Sequence, residues 1–475
     1  MAREPSREAA TGDIQVIRPA PESSSPPMRA SHLVPYRPNT VRARLRALTL
    51  LVAVSIGLSD RLVAQQSNHP TLVVLFTVDQ MRPDYFTRFD RQLSGGLGRL
   101  YRGGAVFDSA YQDHAITETA PGHSVTLAGR FPRSTGITMN RAGVEDLRTS
   151  LLDARGPGAS PFRFRGTTLT DWLRVADPRS RALSISRKDR GAILPLGRAH
   201  EEVYWYGTDR FTTSTYYHDT LPSWIVRFNA RRLPQRYAGT SWSLLLPESA
   251  YAEADSVPVE NEGHSFTFPH RLPSDSAAAA RVLPNYPMMD DVTLQAALAG
   301  VEALNLGRGP QTDLLAVSLS TTDAVGHAFG PDSRELHDQI VRLDRYLGAF
   351  LDSLFSIRDS SRIVIALTAD HGVQPYPQIH AARVRGAVAR FVDLDNIYAG
   401  TLSRLIERGV DTSAFRFDEG MILMDRPAFK RARLDADSVL SRFLEEVRRV
   451  PGVGRAELLR SLAKADTLHD AVARR

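Results

Sequence analysis

No cysteine occurs among the 475 residues. That excludes disulfide staples, thiolate metal ligands and a cysteine nucleophile. Lysine is nearly as scarce: Lys188, Lys430 and Lys464 are the only three. The formal charge of +6 is therefore carried almost wholly by arginine, and it reads as a compositional bias. No basic stripe with interleaved aromatics is present, so nucleic acid is not an expected partner. The sequence also lacks heptads, internal repeats and any uncharged apolar run of the about 20 residues that a membrane helix needs.

What remains is an ordinary globular composition, 42% hydrophobic and 24% charged. The length allows two to three domains and a large buried core. Near the N-terminus, Arg42, Arg44 and Arg46 precede an apolar stretch at 47–58, and Leu62-Val63-Ala64 follows shortly after. A charged region, an apolar region of this length and a small-residue site together resemble a secretory signal peptide. Residues 1–64 are expected to be a disordered extension plus signal peptide. The mature protein is then periplasmic or secreted, without stable membrane insertion.

Behind that extension, Leu72–Val78 is a strongly apolar run that reads as a strand, and 105–110 (AVFDSA) reads as a second. A helix is expected over 121–130, with proline near its start. From about 156 to 287 aromatics, Ser, Thr and Pro become dense, and this stretch reads as an inserted capping region. Regular alternation returns with a helix at 290–304, a strand at 314–320, a long amphipathic helix at 333–357 and a strand at 362–368. After 376 the pattern is helical. Such alternation predicts an α/β fold with a mostly parallel central sheet flanked by helices. The catalytic domain is expected to span 65–475, its core formed by about 70–155 and 288–375. His337 is expected on the exposed face of the long helix. Ile340, Leu343, Leu347, Phe350, Leu351 and Leu354 are expected on its buried face.

Three apolar runs end in carboxylates: Asp79, Asp323 with His327 four residues on, and Asp370 with His371 beside it. Parallel strands deliver ligands beyond their C-terminal ends. Mixed carboxylate and imidazole ligands suit zinc or a similar divalent ion. The segment Thr117-Glu118-Thr119-Ala120-Pro121-Gly122-His123 adds a hydroxyl at a helix start, where backbone N–H groups favour an anion. Read alone, Thr119 is more readily a helix cap, and only beside the metal set does its hydroxyl read as chemistry. His123 is expected to support that helix start and not to bind metal.

Asp79, the TAPGH segment, Asp323-x-x-x-His327 and Asp370-His371-Gly372 resemble the alkaline phosphatase superfamily in order and spacing. The stretch Ser186-Arg187-Lys188-Asp189-Arg190-Gly191-Ala192-Ile193-Leu194-Pro195 is similar to a segment of its phosphate-irrepressible (PafA-type) members. The resemblance covers about residues 70–475. It implies a phosphomonoesterase holding two zinc ions. Thr119 would be the nucleophile, forming a phosphothreonine that water then hydrolyses. Asp79, Thr119, Asp370 and His371 would hold one zinc, and Asp323 and His327 would supply two ligands to the other. Asn140, Lys188 and Arg190 would contact the phosphoryl oxygens. Small phosphate monoesters are the implied substrates, and a monomer the implied state. The alternative within the superfamily is a phosphodiesterase or nucleotide pyrophosphatase, whose members lack the Lys/Arg pair. The family's closing histidine, a third ligand to the second zinc, has no counterpart here. Only His380 and His469 follow His371, neither in the right context. A C-terminally truncated and catalytically impaired chain is the corresponding expectation.

Overall fold

The structure, a computed structural model, describes residues 69–383, 391–418, 420–462, 464–466 and 468–470. The signal-like segment at 42–64 lies outside the described residues. Strands follow in chain order as β1 (Leu72–Val78), β2 (Ala182–Ser186), β3 (Glu202–Tyr206), β4 (Phe211–Thr212), β5 (Ser241–Trp242), β6 (His270–Arg271), β7 (Asp313–Leu319), β8 (Ile363–Thr368), β9 (Phe415–Asp418) and β10 (Met421–Met424). Six of them form the central sheet in the order β4-β3-β2-β7-β1-β8. All neighbours are parallel except the short β4. β2 and β7 are buried along their whole length, as strands covered on both faces must be, and their near-continuous apolar character has that cause.

Register places the chemistry. Val78 is opposite Leu319, and Thr77 is opposite both Ser318 and Thr368. β1, β7 and β8 therefore end level, and the residues just past them emerge side by side. Helices Met288–Ala303 and Arg334–Ile357 cover one face of the sheet. The second begins at Ser333, whose hydroxyl accepts the Leu336 N–H at 3.0 Å. Its stripe of Ile340, Leu343, Leu347, Phe350, Leu351 and Leu354 is buried as expected. Each such side chain contributes about 1.5–3 kcal/mol of transfer free energy. Helix Gly96–Gly103 lies close against it, since a Cβ on Gly96 would stand 2.4 Å from the Cβ of Leu347.

Several expectations need correction. Residues 105–110 form no strand: Val106 and Phe107 are exposed, so the apolar pattern there has no sheet to pair with. The supposed insert at 156–287 was drawn too early, because β2, β3 and β4 lie within it and supply half of the central sheet. The irregular part is 213–287, with the small β5–β6 ribbon. The region after 376 contains a β9–β10 hairpin as well as helices, and Phe415 and Phe429 are buried with Phe443 in a separate apolar cluster.

His337 is also buried, contrary to the amphipathic reading. Its Nδ1 lies 2.7 Å from Glu253, and its ring stacks on Phe89. The reason is that the irregular region covers the polar face of the long helix and is tied to it by Asp338. That carboxylate accepts from Trp242 Nε1 at 2.6 Å, Tyr251 Oη at 2.6 Å, the Leu245 N–H at 2.7 Å and Arg342 Nε at 2.5 Å. Replacing Asp338 by alanine would strand these buried donors, at a cost of about 3–5 kcal/mol. Denaturant unfolding should show that loss, with faster proteolysis between 243 and 262; an unchanged midpoint would remove Asp338 as the tie.

Candidate metal centre

Asp79 continues the β1 ladder by donating its N–H to Leu319 O at 3.0 Å, and its side chain is fully buried. Gln80 follows with φ of +67°. In that left-handed conformation its N–H reaches Asp370 Oδ1 at 3.0 Å, while its amide Nε2 reaches Asp323 Oδ1 at 3.1 Å. One residue thus links the ends of β1 and β8 to helix Thr321–Phe329. Gly326 makes room for it, since a Cβ there would sit 1.8 Å from Gln80 Oε1. Asp323 and His327 are one turn apart on that helix, with His327 Nε2 3.2 Å from Asp323 Oδ1. Asp370 is fixed further by the His371 N–H at 2.9 Å.

Thr119 is the first residue of helix Thr119–Thr126, and the cap position falls on Glu118. The structure thus places Thr119 inside the first turn and not ahead of it. Asn140 holds this turn: its Oδ1 accepts the Ala120 N–H at 2.8 Å, and its own N–H donates to Glu118 at 2.8 Å. Gly122 allows the helix to press on Asp370, whose carbonyl would be 2.3 Å from a Cβ at that position. His123 is buried behind the site, with Nε2 2.8 Å from Ser318 Oγ and Nδ1 2.9 Å from both Thr119 O and Asp370 Oδ2. Its expected supporting role extends to a carboxylate that the sequence did not connect to it.

Lys188 closes the cluster from β2. Its ammonium stands 2.6 Å from Asp79 Oδ2, 2.5 Å from Asp323 Oδ2 and 3.1 Å from Thr119 Oγ1. Arg190 makes no hydrogen bond into the cluster: its Nη1 is 3.8 Å from Asp189, its Nε is buried without a partner, and its charge acts on Arg187. Of the ten sequence candidates — nine residues plus His123 — all but Arg190 are gathered or wired to this one centre. His380 is exposed on helix Pro377–Arg383, and His469 pairs with Asp466 at 2.5 Å.

The charge balance is lopsided. Burial would raise the Asp79 carboxyl, yet Lys188 and His371 hold it well below the usual carboxylate range. Asp323 is likewise low: burial and Asp79 oppose ionisation, but Lys188 and His327 outweigh them. His371 shows the counterpart. Burial disfavours its proton, but Asp370, Asp79 and Asp323 push it up to about 10. Both oxygens of Asp79 and Oδ2 of Asp370 are buried without a hydrogen bond of acceptable geometry, although Lys188 supplies a close charge. Ligand atoms of Asp79, Asp370 and His371 lie within 4.8 Å of one another. A cluster of buried carboxylates beside an imidazole, faced by Lys188 and His123 but short of well-aligned hydrogen bonds, fits a divalent cation held by oxygen and imidazole. Asp323 and His327 adjoin the same place, His371 Nε2 being 3.9 Å from Asp323 Oδ1.

The family model for type I phosphodiesterase / nucleotide pyrophosphatase matches residues 73–446. Among characterised proteins, the alkaline phosphatase PhoV of Synechococcus elongatus is 35% identical over 390 residues, covering 77% of this chain and 70% of that protein. The alkaline phosphatase PafA of Elizabethkingia meningoseptica is 31% identical over 421 residues, covering 83% and 77%. A crystal structure of wild-type alkaline phosphatase PafA superposes with a TM-score of 0.75 at 28% identity, covering 86% of this chain and 82% of that one.

Metal ligation requires a neutral imidazole, whereas the metal-free centre keeps His371 protonated up to about 10. Metal uptake near pH 8 must therefore release a proton, and affinity must fall as pH drops. Titrating zinc into metal-free protein in a weakly buffered indicator solution should show acidification; uptake without it would remove His371 from the ligand set. Gly122→Ala should weaken uptake by about tenfold, because its Cβ displaces the Asp370 backbone.

Proposed function

The chain belongs to the type I phosphodiesterase / nucleotide pyrophosphatase family, and from that premise we propose that it hydrolyses phosphate monoesters with Thr119 as nucleophile. The observation that carries this reading is Lys188, buried between Asp79 and Asp323 with its ammonium on Thr119 Oγ1. A monoester carries about two negative charges and several acceptor oxygens, which suit a buried ammonium at the attacking atom. The relatives named alkaline phosphatase support the same substrate class.

The residues divide the work. Helix Thr119–Thr126 carries the hydroxyl on its first residue, at the positive end of the helix dipole, where an incoming anion is favoured. Asn140 fixes that turn through Ala120, so the hydroxyl is held before substrate arrives. Lys188 donates to Thr119 Oγ1 and stabilises charge developing there. Attack by Oγ1 on phosphorus forms the Thr119 O–P bond as the hydroxyl proton passes to solvent, and breaks the bond to the leaving alkoxide, which takes a proton from water. A water molecule then splits the phosphothreonine, returning the hydroxyl and releasing phosphate. Two divalent cations, zinc by ligand type, held by Asp79, Asp370 and His371 with Thr119 and by Asp323 and His327, would supply Lewis-acid stabilisation of the attacking and leaving oxygens. Arg190, whose buried Nε has no partner, would contact phosphoryl oxygens.

The second reading, a phosphodiesterase, is favoured by the description of the family model. It requires room for a second organic group in place of the charge supplied by Lys188. We also read the compartment as periplasmic or extracellular, from the signal-like segment at 42–64. No helix among the described residues is long and apolar enough to cross a membrane.

Thr119→Ala should reduce turnover of an aryl phosphate monoester by at least about a thousandfold, while metal is still taken up on Asp79, Asp370 and His371, more weakly for the lost hydroxyl. Lys188→Ala should lower monoester turnover by about a hundredfold and diester turnover far less. Comparing an aryl monoester with its diester on both variants decides the substrate class: equal losses on the two esters would favour the diesterase.

A further inference from the structure

Arg187 precedes the lysine of the site and was given no role by sequence. Its Nε donates to Ser320 O at 3.1 Å, at the residue capping helix Thr321–Phe329. Its Nη2 stands 3.7 Å from Asp323 Oδ2. That separation is too long for a hydrogen bond. The same oxygen is already taken by Lys188 at 2.5 Å. Arg187 is therefore held in place by Ser320 and faces Asp323 as a charge, without committing Nη2 to it. Its side chain remains 14% exposed. Arg190, the other guanidinium of this segment, stands 3.8 Å from Asp189, also beyond hydrogen-bond reach, and its charge acts on Arg187.

We propose that Arg187 is a fixed cation of the phosphoryl subsite: it weakens divalent-metal binding at Asp323 and strengthens binding of dianionic phosphate. This rests on the phosphomonoesterase reading and adds to it a residue that sets the charge preference. The physical argument has two sides. A guanidinium stays charged even when buried, and its planar fork matches oxygens of phosphate. An anion settling on the Lys188 ammonium next to Asp323 meets this second cation, which faces the same carboxylate. A divalent ion on Asp323 meets the same charge as repulsion, which falls off slowly in a buried setting. The two effects have opposite signs. A residue that merely braced Asp323 would move both affinities in the same direction when removed.

The test uses the full chain, with Arg187→Met to remove charge at similar length and Arg187→Lys to restore it. Calorimetric titration with cobalt(II) alone reads the weaker metal site, taken as Asp323 and His327 because they supply only two protein ligands, and titration of the metal-loaded protein with inorganic phosphate reads the anion site. Circular dichroism confirms that each variant is folded. Arg187→Met is expected to bind the weaker metal about fivefold more tightly and phosphate about tenfold more weakly, with Arg187→Lys recovering most of both. If metal and phosphate weaken together, Arg187 is a structural brace and the proposal is wrong. If neither affinity moves, it is equally wrong. Wild-type protein that binds metal but turns over no monoester would sink the phosphomonoesterase reading instead, and the cobalt titration would still report on Arg187.

Discussion

Three carboxylates, Asp79, Asp323 and Asp370, are buried together at the ends of parallel strands and beside one helix turn, and the rest of the centre is organised by that crowding. Burial of like charges is tolerated only when cations and donors surround them. Lys188 enters between two of them, His371 holds its proton against burial, and Gln80 gives one hydrogen bond to each of two. The same electrostatic demand accounts for the match between the donor set and a divalent ion. It also explains why one of only three lysines lies buried here.

Register converts this demand into a site. β1, β7 and β8 end level because their parallel ladders run without a bulge to Val78, Leu319 and Thr368. Side chains one to four residues beyond these ends must then converge. Helix Thr119–Thr126 is brought against Asp370 by Gly122, where no side chain fits. Thr119 thus meets the cluster through packing of backbone on backbone, and its hydroxyl needs no flexible arm to reach Lys188.

β1, β7 and β8 and the carboxylates and imidazoles beyond them were legible in the sequence because both are local signals. An apolar run followed by a carboxylate is visible in Leu72–Val78 with Asp79, and the i, i+4 pair Asp323/His327 is visible without neighbours. The chain belongs where the resemblance placed it, and the α/β fold with a mostly parallel sheet is present. What failed depended on tertiary partners. The run at 105–110 has the composition of a strand but lies exposed. β2 and β3 were absorbed into a supposed insert, since their short runs are surrounded by aromatic and polar text. His337 looked exposed because the polar side of its helix is covered by a segment nearly a hundred residues upstream, and no local pattern announces that cover. Gln80 and Arg187 escaped notice because their roles consist of contacts across the fold.

Gln80 and Gly326 are two halves of one volume: the amide occupies the space that a side chain at 326 would need. Neither position can drift alone. A larger residue at 326 is compatible only with a shorter one at 80, and a shorter one at 80 releases Asp323 from β1 and β8 together. Among descendants of this chain, positions 80 and 326 should therefore be inherited as a pair. The limit on how far the centre can diverge is set by a side chain with no assigned part in the chemistry.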